Sequence, residues 1–161
     1  VCLPYGKEYA LNAVHEGYLF YSENFKLNKS ADFKPIEKDV PLQPIKIGGK
    51  VILKNIFFDV NQYDLKPESK AELGKLKEFL SKNSSLKIEI GGHTDDQGSK
   101  SYNLELSRNR AKAVSDWLIT NKISKNRLSY KGYADNEPIM SNDSLEGRSR
   151  NRRTEFKITG R

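Results

Sequence analysis

The sequence predicts an α/β (α+β) two-layer sandwich with a mixed sheet and its helices on one face, ordered β-α-β-α-β-(α)-β and preceded by a short β-hairpin. Three observations carry this expectation. Beyond residue 50, apolar strand-like runs alternate with two stretches of helical period. Helical crossovers between strands imply that part of the sheet is parallel, and helices confined to one face give two layers. Near the start, two aromatic and aliphatic runs flank a glycine-bearing break, the pattern of a hairpin.

In chain order, Tyr9-Ala10-Leu11-Asn12-Ala13-Val14 and Tyr18-Leu19-Phe20-Tyr21-Ser22 are the expected hairpin strands, separated by His15-Glu16-Gly17. Two strands rarely stand alone in water, so residues 1–27 are expected to be the remnant of a preceding β domain. Residues 28–49, with Pro35, Pro41, Pro44 and Gly48-Gly49, lack either period and read as a linker. Residues 50–161 form the main domain. There, Val51-Ile52-Leu53 with Ile56-Phe57-Phe58 is expected as one apolar strand, ended by Asp59-Val60-Asn61. Pro67 suits the first turn of a helix running to about Lys82, with Leu73, Leu76 and Leu80 on one face. Leu86–Ile90 alternates with period two, and Gly91-Gly92 is expected to end it. A second helix, Ser101 to Asn121, places Leu104, Ser107, Ala111, Val114 and Leu118 on a core stripe, with Trp117 at the core edge. Leu128-Ser129-Tyr130, a short turn around Gly147 and Thr154–Ile158 complete the order.

Composition narrows the function classes. No apolar run approaches the roughly 20 residues that a spanning helix needs. The chain opens at Val1-Cys2-Leu3-Pro4 without a basic and apolar leader, and is expected to be a fragment or mature form of something longer. The lone Cys2 excludes an internal disulfide; a leftover strand residue is expected, with N-terminal lipidation as the alternative. The net charge of +7 is localised: residues 1–99 hold 14 Lys and 14 Asp/Glu, whereas residues 100–161 hold 14 Lys/Arg and 7 Asp/Glu. That excess suits nucleic acid, anionic lipid or an anionic polymer, and charge alone does not choose among them. No G-x-G-x-x-G or G-x-x-x-x-G-K-[ST] motif is present, and no cofactor is expected.

The densest chemistry lies in Gly92-His93-Thr94-Asp95-Asp96-Gln97-Gly98, a loop at a strand end that leads into the second helix. On that helix Asn103 and Arg110 are seven residues apart and return nearly to one face. The acid Asp95, the amide Asn103 and the guanidinium of Arg110 are therefore expected to converge. A carboxylate near a guanidinium receives a zwitterion: the first accepts from an ammonium, and the second forks onto a carboxylate. A free amino-acid end is the ligand class this suggests. The alternative for Asp95 and Arg110 is a surface ion pair, worth about 0–1 kcal/mol.

Other chemistries fit less well. A metal site needs more ligands than His93, whose only companion histidine, His15, lies in the hairpin; a structural hydrogen bond is expected of it. Ser107 with His93 and Asp95 lacks a nucleophile elbow, and Ser107 lies on the core stripe. Asp95-Asp96 with Gly98 lacks the alternating acids of a calcium loop. The arginines of Arg148–Arg153 lack interleaved aromatics and a reading helix, so no nucleic-acid partner is expected.

Several strings then agree in order and spacing. Ile56-Phe57-Phe58-Asp59-x-Asn61 with Leu65, Gly92-His93-Thr94-Asp95-x-x-Gly98, Asn103-x-x-Leu106-Ser107-x-x-Arg110-Ala111, Arg127-Leu128, Gly132, Pro138, Asn142 and Glu146-Gly147-Arg148-x-x-Asn151-Arg152-Arg153 together resemble the OmpA-like domain, which occurs also in peptidoglycan-associated lipoproteins and flagellar stator proteins. Ala134 departs from it, standing where many relatives carry a second glycine. The resemblance implies a non-enzymatic module that binds peptidoglycan through the meso-diaminopimelate of its stem peptides. It places the key acid on Asp95 and the key arginine on Arg110, with supporting polar contacts on Asn61, Thr94, Asn103 and Arg152. It further implies a domain in the periplasm of a Gram-negative bacterium, at the periplasmic face of the outer membrane, within a parent protein associated with that membrane. Gly6-Lys7-x-Tyr9-x-Leu11-Asn12 and Gly17-Tyr18-Leu19-Phe20 resemble the closing hairpin of a carboxypeptidase-regulatory-like domain, a segment suited to recruiting an envelope protein partner.

Overall fold

The computed structural model describes residues 3–28 and 37–161. Cys2 and Pro35, both singled out in the sequence, lie outside the described residues. The chain divides into two units, Val1–Ile45 and Lys46–Arg161.

In the first unit, β1 (Glu8–Ala13) pairs antiparallel with β2 (Tyr21–Lys26), and Tyr9 faces Phe25 across the ladder with ring centroids 5.8 Å apart. The second strand starts at Tyr21 rather than Tyr18. Residues 17–19 pair elsewhere: Leu19 N–H donates to Gln43 O (2.7 Å) and Ile45 N–H to Gly17 O (2.8 Å), which takes Tyr18 and Leu19 out of register with β1. Leu19 and Phe20 are buried. Part of the stretch expected as linker is thus hydrogen-bonded to the hairpin connection.

The second unit contains β3 (Lys50–Leu53), a 3-10 turn (Pro67–Ser69) leading into α1 (Lys70–Lys82), β4 (Lys87–His93), α2 (Lys100–Thr120), β5 (Leu128–Ala134), α3 (Leu145–Asn151) and β6 (Thr154–Gly160). The sheet order is β3-β6-β4-β5; β4 and β5 are parallel, and β6 is antiparallel to both β3 and β4. Ile90 stands opposite Phe156, and Gly92 opposite Thr154, on one face. Phe79 of α1 packs on Phe156 with centroids 5.9 Å apart, and Ser107 of α2 abuts Gly92, so both helices cover that face. Leu73, Leu76 and Leu80, at helical spacing, are fully buried with Ile88, Val114, Leu118 and Ile158.

Three expectations are corrected. Ile56–Phe58 is not strand, because Ser69, buried at the start of α1, takes both backbone groups of Phe57: its hydroxyl accepts from Phe57 N–H (2.9 Å) and donates to Phe57 O (3.3 Å). Gly91-Gly92 do not end β4, which runs on to His93. A Cβ at Gly92 would lie 2.1 Å from Ser107 O, and one at Gly132 2.6 Å from Arg108 N, so glycine here lets the backbone of α2 touch the sheet. The same close approach displaces Leu104: backbone rather than side chain fills the interface, and Leu104 is 49% exposed while Leu106 is buried.

Candidate functional site

The end of β4 is clamped on both sides. His93 N–H donates to Arg153 O and Thr94 N–H to Ala134 O, each over 2.9 Å, so Thr94 and Asp95 emerge from the sheet in a fixed direction. Ala134 holds a φ of 50°, the left-handed region in which a glycine is at ease. The loop then folds on itself. Asp95 Oδ1 accepts from Gln97 N–H (3.1 Å), Gly98 turns at φ 101°, and Ser99 caps α2 by accepting from Tyr102 N–H. Buried Asn103 donates from Nδ2 to Asp95 O (3.3 Å) and Gln97 O (3.0 Å), tying helix to loop.

The two charges singled out in the sequence, Asp95 and Arg110, face different neighbours. Arg152, following α3, donates from Nη1 to Asp95 Oδ2 over 2.6 Å. Arg110 instead donates from Nε to Gln62 O (2.9 Å) and from Nη2 to Asp59 O (3.3 Å), with its guanidinium 5.0 Å from the Phe58 ring centroid. The surface ion pair expected as the alternative for Asp95 and Arg110 does not form: Asp95 pairs with Arg152, and the carbonyls of Asp59 and Gln62 hold Arg110. Burial pulls the Arg110 guanidinium below its usual pKa, with Tyr102 and Asp95 acting against that and Arg152 adding to it.

Asp95, Arg110, Asn61, Thr94, Asn103 and Arg152 all line one cleft of about 640 Å³. Sequence reasoning missed Lys54, Phe57, Gln97 and Tyr102 in its wall. Phe57 belongs to the quoted Phe-Phe-Asp string and is 42% exposed, a signal that the strand assignment hid. Thr94 is buried at the cleft, and among the described residues its hydroxyl has no hydrogen-bond partner. The cleft thus combines a carboxylate, two guanidiniums, an unsatisfied hydroxyl and aromatic walls, a set suited to a zwitterion.

His93 differs from expectation. Its ring lies on the sheet face opposite the helices, stacked on Tyr133 at 5.0 Å, and among the described residues neither ring nitrogen has a hydrogen-bond partner. Glu155 Oε1 is 3.6 Å from Nε2, too long for a hydrogen bond. Ser107 is on the helix-covered face, where its hydroxyl donates to Leu104 O and accepts from Ala134 N–H, so the sheet separates serine from histidine. The C-terminal arginines are engaged internally: Arg148 with Asn142 O, Arg150 with Glu146, Arg152 with Asp95 and Arg153 with Glu155. Among the described residues, no helix is long and apolar enough to cross a membrane.

Residues 57–152 match the OmpA family. The chain is 34% identical over 130 residues to outer membrane protein A of Bordetella avium, covering 80% of this chain and 67% of that protein. It is 33% identical over 98 residues to the peptidoglycan-associated lipoprotein of Rhizobium meliloti, covering 61% and 56%. It spans only about 30% of the length of some longer outer-membrane relatives. Among solved structures, the cell wall anchor of the T6SS from Pseudomonas aeruginosa is similar with a TM-score of 0.60 at 28% identity, over 70% of this chain and 80% of that one.

Proposed function

This chain belongs to the OmpA family, and from that premise we propose that its cleft binds peptidoglycan without covalent chemistry, through the meso-diaminopimelate head group of the stem peptide. The observation that carries this reading is the gathering of opposite charges in one cleft: Asp95 with Arg152 bonded to it, and Arg110 held by the carbonyls of Asp59 and Gln62. Asp95 accepts from the ligand's ammonium. Arg110 uses two of its five N–H donors on Asp59 and Gln62, leaving the rest for the ligand's carboxylate. Thr94 supplies the hydroxyl, Arg152 a second cation, and Asn103 keeps the loop in place. The names of the relatives, an outer membrane protein and a peptidoglycan-associated lipoprotein, support a periplasmic location for the domain and a role in holding an outer-membrane or periplasmic parent to the wall.

The test is co-sedimentation with purified sacculi. Asp95→Ala and Arg110→Ala are each expected to remove most binding, since truncating one partner of a buried charge contact costs roughly 2–5 kcal/mol, about 30-fold to several thousand-fold in affinity. Unchanged sedimentation of both folded variants overturns the reading.

Residues 1–27 are assigned, on the same footing, as the closing hairpin of a carboxypeptidase-regulatory-like domain, supported by the β1–β2 pairing. Residues 50–161 are the wall-binding domain. A role for the first unit in recruiting an envelope partner predicts that deleting residues 1–45 leaves wall binding intact.

A further inference from the structure

Asn61 lines the cleft, but its backbone is more telling than its amide. It holds a φ of 58°, in the left-handed region that asparagine and glycine enter most readily and β-branched residues avoid. It occupies the third position of the turn Asp59-Val60-Asn61-Gln62, closed by Gln62 N–H donating to Asp59 O over 3.0 Å. The first and last residues of this turn are the two whose carbonyls grip Arg110: Gln62 O takes Nε at 2.9 Å and Asp59 O takes Nη2 at 3.3 Å. A turn that reverses at Asn61 brings these carbonyls together, and one that does not reverse separates them. The base of the turn is fixed independently: Lys66 Nζ lies 2.9 Å from Asp59 Oδ1, and Lys66 N–H donates to Phe57 O. The left-handed residue is therefore the remaining variable in how the turn presents its oxygens.

We infer that Asn61 is a positioning residue: its left-handed backbone shapes the 59–62 turn into a carbonyl clamp that aims the guanidinium of Arg110 into the cleft, a role separate from any contact its amide makes. This rests on the peptidoglycan reading for its binding consequence, but the clamp itself is a property of the unliganded protein. The specificity of the site then depends on a backbone conformation 49 residues away in sequence from the arginine it orients.

Two substitutions separate conformation from contact. Asn61→Gly removes the amide and keeps the left-handed conformation accessible; Asn61→Val removes the amide and disfavours it. The expected result is that Asn61→Val binds sacculi about tenfold or more weakly than Asn61→Gly, a left-handed penalty of about 1–2 kcal/mol corresponding to roughly a decade. Equal losses in both variants would make Asn61 a direct contact and overturn the inference, as would full binding by Asn61→Val. A ligand-free readout accompanies it. The Arg110 Nε–H resonance, held by Gln62 O, is expected to keep its shift and slow exchange in Asn61→Gly and to lose both in Asn61→Val; an unmoved resonance in Asn61→Val also overturns the clamp. If the unaltered chain does not sediment with sacculi, the peptidoglycan reading fails, and the resonance still decides the clamp.

Discussion

Arg152 Nη1 lies 2.6 Å from Asp95 Oδ2, so a ligand ammonium binding at the acid, as proposed, would meet a cation already beside it. Binding is then an exchange of partners, and the net gain is the difference between two ion pairs. Asp95 is largely buried and Arg152 about half exposed, which puts their pairing between the surface and buried regimes. Arg152→Ala is expected to lower stability by about 1–2 kcal/mol. In a urea-denaturation cycle, the double variant Asp95→Ala/Arg152→Ala should cost less than the sum of the singles by at least about 0.5 kcal/mol. Strict additivity would show the pair to be uncoupled.

The glycines against α2 are expected to be intolerant of a methyl group. Gly92→Ala places a Cβ 2.1 Å from Ser107 O, and Gly132→Ala one 2.6 Å from Arg108 N. Backbone cannot move aside there without separating helix from sheet, so each should cost about 3 kcal/mol or more in thermal or urea unfolding. Gly74, inside α1 with open space around it, is the control: Gly74→Ala should stabilise by about 0.5–1 kcal/mol.

Two groups on the sheet face opposite the helices contribute to the pH dependence of stability. Burial alone would raise the Glu155 carboxyl, but Lys50 at 2.9 Å and Arg153 at 3.1 Å in direct contact, with the His93 ring nearby, more than offset that and hold it at about 2 against the usual 4.5. A depressed folded-state pKa means that the unfolded chain binds more protons between the two values. The stability Glu155 contributes is therefore complete above about pH 4.5 and is lost as pH falls toward 2. Tyr133 is the mirror case. Burial and its hydrogen bond to Glu89 push the hydroxyl up to about 12 from 10, so its contribution is complete below pH 10 and lost as pH rises toward 12. Urea midpoints across pH should decline at both ends. Tyr133→Phe should flatten the alkaline limb, and Glu155→Gln the acid limb, the latter at a cost of about 3 kcal/mol at neutral pH because Arg153 loses its buried partner.

Asn151 is a fully buried hub beside Arg152. Its Oδ1 accepts from Ile139 N–H and Met140 N–H, and its Nδ2 donates to Met140 O and Asn142 Oδ1. Asn151→Ala leaves these groups without partners and should cost about 2–4 kcal/mol. The amides of Ile139 and Met140 should then exchange with deuterium much faster than in the unaltered chain; unchanged rates would show that another group holds the loop.

The architecture was legible where it depended on side-chain period. Leu73, Leu76 and Leu80 announced α1, Ile88 and Ile90 announced β4, and Asp95 and Arg110 stood out through their spacing on a loop and a helix. What was hidden depended on backbone. A Gly-Gly pair ends a strand in one context and admits a helix in another, and only Ser107, distant in sequence, tells which holds at Gly92. Phe57 looked like strand because its capture by Ser69 is a tertiary contact. Arg110 was visible as a charge, but the carbonyls that hold it carry no residue-type signature.

The strand order β3-β6-β4-β5 has a mechanical consequence. Asp95 hangs from the end of β4, an interior strand bonded along both edges, to β6 on one side and β5 on the other. Tension applied at the acid along that strand loads two ladders in shear, so many hydrogen bonds share the force at once and none opens first like a zipper tooth. Arg110 sits on α2, whose backbone abuts β4 and β5 at Gly92 and Gly132, so a pull on the guanidinium is delivered to the same strands. On the proposed reading, a tether built this way should release its ligand before it unravels.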